Sequence, residues 1–155
     1  MSKNASVIYI FVKGNKGKFA YEITDNNFEI LYQNRDDHVL NDKNEELSPI
    51  HSDVKAMIAS LEYVKNHRGK NGIPENPVSF LFTTFENNFH IANKLKTADK
   101  CKAGMKEIDK IKVALARSLI DKDQVKVFWI PKNFENKMED VEKLLLGDSS
   151  SGYTP

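Results

Sequence analysis

Hydrophobic and polar positions in this chain alternate first with the period of a strand and later with that of a helix. Val7, Tyr9 and Phe11 share one face and Ile8, Ile10 and Val12 the other, so the first strand is apolar on both sides and suits a central place between two covering layers. The stretch from Gly14 to Gly17 supplies a turn, after which Phe19, Tyr21 and Ile23 begin a second strand with Ala20 and Glu22 on its reverse. Asp25, Asn26 and Asn27 then punctuate before Phe28, Ile30 and Tyr32. The first third therefore predicts an antiparallel meander.

A polar loop is expected from Asn34 to Ser48, followed by Val54, Met57, Ile58, Leu61 and Val64 at helical spacing, with Ser52 as the predicted N-cap. That helix ends near His67, because Gly69, Gly72, Pro74 and Pro77 follow at once. Val78 to Thr83 predicts a fourth strand. Phe85 to Leu95 reads as a short helix and Met105 to Ile120 as a longer one. Val125 to Ile130 predicts a fifth strand stopped by Pro131, and Phe134, Met138, Val141 and Leu145 form the apolar stripe of a last helix closed by Gly147. Residues 148–155 are expected to be a flexible tail. Trp129, inside an apolar strand, is expected in the core.

A chain of 155 residues with 40% hydrophobic and 29% charged residues suits one globular domain. The formal net charge of +1 hides a segregation. Asp36, Asp37, Asp42, Glu45, Glu46 and Asp53 crowd one stretch, whereas Lys94, Lys96, Lys100, Lys102, Lys106, Lys110 and Lys112 crowd another. Such a lysine run can meet phosphate or an acidic partner, and equally serves as a solvated helix face.

Cys101 is the single cysteine, which excludes an intramolecular disulfide and a cysteine-based metal cluster and suits a reducing compartment. With no apolar run of ~18 residues, and no apolar core of signal-peptide length at Met1 to Ser6, the expectation is an intracellular protein that does not enter a membrane. His38, His51, His67 and His90 lack ligand-like spacing, and no nucleophile motif, phosphate loop or dinucleotide fingerprint is present.

Three segments carry a more specific likeness. Asp53-Val54-Lys55-Ala56-Met57-Ile58-Ala59-Ser60-Leu61-Glu62 resembles the first helix of ribonuclease H, in which a catalytic Glu opens a run of small and apolar residues ending in Leu-Glu. Val78-Ser79-Phe80-Leu81-Phe82-Thr83-Thr84 resembles that family's fourth strand, which ends in Thr-Asp-Ser. Val125-Lys126-Val127-Phe128-Trp129-Ile130-Pro131-Lys132 resembles its fifth. The likeness runs from about Val7 to Leu146. It implies an α/β fold, a five-stranded mixed sheet of three antiparallel strands then two parallel ones with helices on both faces, over a single domain of residues 1–147.

The same resemblance implies where metal-binding carboxylates should stand. The first-strand Asp falls at Lys13, or at Val12 if the alignment shifts by one residue. The helix Glu falls at Asp53, the fourth-strand Asp at Thr84, and the last carboxylate at Asp140 or the adjacent Glu139. The loop after Trp129 holds Lys132, Asn133 and Phe134 but no His.

Two Mg²⁺ ions about 3.5–4 Å apart need several carboxylates to offset their charge, and a lysine among them opposes that. Lys13 would instead sit in the vacated place and pair with Asp53 and Asp140. On this reading Lys13, Asp53, Thr84 and Asp140 are vestigial, no cofactor or metal is expected, and the domain binds, tethers or scaffolds nucleic acid or a protein partner. The lysine stretch from Lys94 to Lys112, with Lys13, Lys16 and Lys18, would meet the phosphates of a nucleic-acid partner.

Two alternatives stand beside this reading. One is an active nuclease of RNA–DNA hybrids using a single Mg or Mn ion on Asp53 and Asp140, with Glu86 as an additional carboxylate. The other is an unrelated α/β interaction protein, for which the fourth and fifth strands need not run parallel to the first. Asp53 also suits a plain first-turn acid favoured by the helix dipole.

Overall fold

Residues 6–41, 43–86, 88 and 124–130 are described by the computed structural model of the chain. The doubly apolar first segment forms β1 (Ser6–Asn15), which lies at the centre of a five-stranded sheet. β2 (Lys18–Thr24) and β3 (Ile30–Asp36) complete the antiparallel meander on one side of it. β4 (Pro77–Thr83) and β5 (Val125–Trp129) extend the sheet on the other, and the strand order is β3-β2-β1-β4-β5. β4 pairs parallel with β1, and β5 parallel with β4, which are the directions the ribonuclease H resemblance requires.

Between β3 and β4 runs α1 (Pro49–Asn66), whose apolar stripe covers one face of the sheet. Val54, Ala56, Met57, Leu61 and Val64 pack there with Ile8, Ile10, Val12, Phe19, Tyr21, Ile23 and Leu81 in a single core cluster. The second face is aromatic. Phe11 and Ala20 are its buried centre, with Tyr9, Phe82 and Ile130 packed around them. Phe82 stacks on Phe11 and on Phe128, each at 5.2 Å between ring centroids.

Several local expectations are corrected by this arrangement. The helix begins four residues earlier than predicted: Ser48 is the N-cap, its hydroxyl accepting from the His51 amide at 3.3 Å, and Pro49 occupies the first turn. A proline there wastes no hydrogen bond, because the first amides of a helix have no intrahelical acceptor. Ser52 is instead fully buried, and Asp53 lies in the second turn and not the first.

β1 also continues through Gly14 to Asn15, leaving only Lys16 and Gly17 as the turn. Gly14 is needed for proximity: a Cβ at this position would overlap the Asp53 amide nitrogen and lie 2.5 Å from the Pro49 carbonyl oxygen. The missing side chain lets β1 touch the head of α1.

β3 begins at Ile30 because Phe28 has a left-handed backbone (φ 64°) in a turn organised by Asp25, whose carboxylate accepts from the Asn27 and Glu29 amides. The polar loop is shorter than expected, since β3 runs to Asp36. Trp129 is 39% exposed and so is not a core residue. The predicted helices over 105–120 and 134–145, most of the one from Phe85, and residues 148–155 lie outside the described residues.

Candidate functional site

The C-terminal ends of β1 and β4 meet the N-terminal half of α1. Parallel pairing of Phe11 with Phe82 brings Lys13 alongside Thr84, the residue just past the end of β4. The Lys13 ammonium donates to the Thr84 hydroxyl at 3.1 Å and sits 5.6 Å from the Phe85 ring centroid, near the outer limit of a cation–π contact. Two positions at which the ribonuclease H resemblance calls for carboxylates thus hold an ammonium bonded to a neutral hydroxyl.

Asp53 approaches from the helix and is completely buried. Its Oδ2 accepts from the Thr83 hydroxyl at 2.6 Å and from the Asn88 side-chain amide at 3.0 Å. Asn88 also donates to the Ile50 carbonyl at 3.0 Å, which ties the segment after β4 to the first turn of α1. Thr83 accepts in turn from the Phe85 amide at 3.1 Å. Asp53 Oδ1 and Asn88 Oδ1 have no hydrogen-bond partner among the described residues.

Burial pushes the Asp53 carboxyl up to about 6, since the ionised form has lost its water. The Thr83 and Asn88 hydrogen bonds, then the Lys13 charge and the Gly14 backbone, pull in the opposite direction. Lys13 acts on this carboxylate through space and not as a direct ion pair. The buried carboxylate therefore has four neighbours, Thr83, Asn88, Lys13 and the Gly14 backbone, that each favour its charge.

The fold brings Lys13 and Thr84 into direct contact, and Asp53, on the α1 side, feels the Lys13 charge without bonding to either. Glu86, the alternative carboxylate, is exposed just beyond Phe85. Asp140 and Glu139, together with Lys94, Lys96, Lys100, Lys102 and Lys106, lie outside the described residues. Thr83 and Asn88 are members that sequence reasoning missed. Strand alternation held the signal for Thr83: if Thr84 points to one face, Thr83 must point to the other, toward α1. Nothing in the local pattern marked Asn88.

Among the described residues no group of three or more His, Cys, Asp or Glu side chains gathers where a metal ion would be held. The donor chemistry at this place agrees: it offers one carboxylate, already engaged by Thr83 and Asn88, with an ammonium nearby. A divalent ion pair requires several oxygen anions and would meet the Lys13 charge. The described residues do not fit such a pair.

Neither a protein-family model nor a curated protein matches the sequence. Solved structures do match. The ribonuclease H1 of the halophilic archaeon Halobacterium salinarum superimposes with a TM-score of 0.61 at 13% identity, covering 94% of this chain and 99% of that one. The N-terminal ribonuclease H domain of a Mycobacterium tuberculosis protein gives 0.64 at 9% identity, covering 95% and 96%. LC11 ribonuclease H1, isolated from compost by a metagenomic approach, gives 0.59 at 18% identity, covering 97% and 99%. Strand order, the parallel crossover through α1 and this end-to-end coverage agree: the chain has a ribonuclease H-like fold.

Proposed function

We propose that this chain is a catalytically inactive ribonuclease H-like domain that serves as a binding, tethering or scaffold module. The observation that carries this reading is the Lys13–Thr84 hydrogen bond of 3.1 Å, formed at two places where the fold family keeps metal-binding carboxylates. Asp53, the carboxylate that remains on the helix, is turned inward and fully buried. Asp140 is the fourth vestigial position. The proposal needs neither Mg nor Mn.

Two partner classes fit the module. LC11 ribonuclease H1 and the foamy viral protease-reverse transcriptase have been solved with RNA/DNA hybrid, and the latter also with double-stranded DNA, which supports a nucleic-acid partner. Lys94, Lys96, Lys100, Lys102 and Lys106 would meet its phosphates without reading sequence. The near-neutral whole chain supports a protein partner instead. No helix among the described residues is long and apolar enough to cross a membrane. We place the module, residues 1–147, in a reducing intracellular compartment on the strength of its single cysteine.

A hybrid-cleavage assay in Mg²⁺ or Mn²⁺ tests the reading. The expected result is no turnover by the full chain. Turnover that disappears in Asp53→Ala would overturn it in favour of a nuclease with a non-standard carboxylate set.

A further inference from the structure

The far end of α1 carries a second group of side chains that the proposed site does not use. Tyr32 on β3 stacks on Tyr63 with ring centroids 3.8 Å apart and planes within 6°. Tyr63 stacks on His67 at 3.9 Å and 16°, so three near-parallel rings form one column. Tyr63 and His67 are four residues apart, the spacing that places side chains one above the other on a helix. The column is braced: His67 Nδ1 lies 2.8 Å from the Tyr63 carbonyl, which can only accept, and the Asn71 amide donates to the Tyr63 hydroxyl at 3.3 Å.

Cations flank His67 in the chain. Lys65, Arg68 and Lys70 are all exposed, and from Lys65 to Asn71 the chain holds no acid. Glu75 lies over Gly69, but neither it nor any other described acid comes within ion-pair distance of the three. Arg35, in contrast, is engaged by Asp37 at 2.9 Å. The turn is compact, closed by Lys70 N–H to the His67 carbonyl and Ile73 N–H to the Lys70 carbonyl, each at 2.8 Å. Its charges are thus displayed from a fixed backbone.

An ordered aromatic column ending at a half-buried imidazole and flanked by unengaged cations has the chemistry that receives a base and its neighbouring phosphates. Bases stack on aromatic faces without regard to sequence, and Arg and Lys meet the backbone. We infer that the turn after α1 binds single-stranded nucleic acid, one base stacking on His67 and adjacent phosphates meeting Arg68 and Lys70. This rests on reading the chain as a binding module, and it commits that module to nucleic acid at this surface. The turn follows Asp53 by about 15 residues of helix and cap, roughly 22 Å of axial rise, so the surface is separate from the vestigial site.

The test is a fluorescence-anisotropy titration of the full chain with labelled oligouridine, using inorganic polyphosphate as a base-free competitor. His67→Ala should weaken binding about tenfold, within the range of losing one stacked base, while His67→Phe, which keeps a ring, should restore it. Arg68→Gln with Lys70→Gln should lower the slope of log affinity against log salt by about 1.4, as expected for two phosphate contacts on a single strand. Absence of oligouridine binding, which would leave the surface to an acidic protein, overturns the inference. So does an unchanged affinity in either set of variants, or competition by polyphosphate as strong as that by unlabelled oligouridine. Hybrid cleavage by the unaltered chain would overturn only the inactive-domain reading and leave these binding results to stand or fall separately.

Discussion

The two ends of α1 treat charge in opposite ways. At the head of the helix Asp53 is fully buried, fastened by Thr83 and Asn88 and biased by Lys13. At its tail Lys65, Arg68 and Lys70 face water, flanking in sequence the His67 that ends a stacked column. Burial makes each polar group at the head a term in the stability of the fold, because an unpaired one is costly there. Exposure makes the cations at the tail nearly irrelevant to stability and available to a ligand. A polar cluster in this chain therefore declares its role by which side of the surface it occupies.

The comparison breaks first at Gly14. Gly14→Ala forces a methyl into the backbone of Asp53 and Pro49, which cannot retreat without moving the helix. The expected cost is about 3 kcal/mol, and for a chain of this size a melting temperature lowered by about 10 °C in a calorimetric scan. An unchanged melting temperature would mean that β1 and α1 are not in contact there.

The next effect is a pH dependence. Asp53 has its carboxyl raised from 3.8 to about 6, so between those values the native state holds a proton that the unfolded chain has released. Stability should accordingly fall as pH rises from about 4 to about 6, and this contribution should be flat above that window. The two-unit shift corresponds to a loss on the order of 3 kcal/mol. Urea unfolding across the window measures it, and Asp53→Asn should flatten the curve. A slope that persists in the variant would assign the titration to another group.

The smallest expected effect is at the tail. Arg68→Gln with Lys70→Gln should change unfolding free energy by no more than about 0.5 kcal/mol, because neither side chain is buried or engaged in an ion pair with a described residue. A larger loss would show that the two ends of the helix are less different than their exposure indicates.

Much of the fold was legible where one physical rule acted alone. Val7 to Val12 reads as a covered central strand because both of its faces are apolar, and Met57, Leu61 and Val64 read as a buried helical stripe. Misreadings fell where two signals competed. Ser48 followed by Pro49 and Ser52 followed by Asp53 both look like helix starts, and the proline decided for the first. Gly14 was read as a turn residue, when the absent side chain serves an approach between elements distant in sequence. Phe28 belongs by composition to a strand, yet the Asp25 carboxylate holds it in a turn.

The candidate site divides in the same way. That Lys13 and Thr84 meet beside the helix that carries Asp53 could be read by setting short segments beside a known family pattern. That Asn88 joins them could not, since it pairs with residues 35 and 38 positions earlier in the chain. Trp129 looked internal by its apolar neighbours, but β5 is the last strand of the sheet and has a partner on one side only among the described strands.

The sequence on its own set the periodicities, the order of strands and helix, and the lysine and threonine that stand at positions 13 and 84. These are local properties, written in consecutive side chains. The tertiary structure alone decided that the Lys13 ammonium meets the Thr84 hydroxyl 71 residues away, that Asp53 loses all contact with water, and that Tyr32 completes a column with Tyr63 and His67. Burial and long-range contact depend on how the layers close over one another, and no stretch of chain encodes that alone.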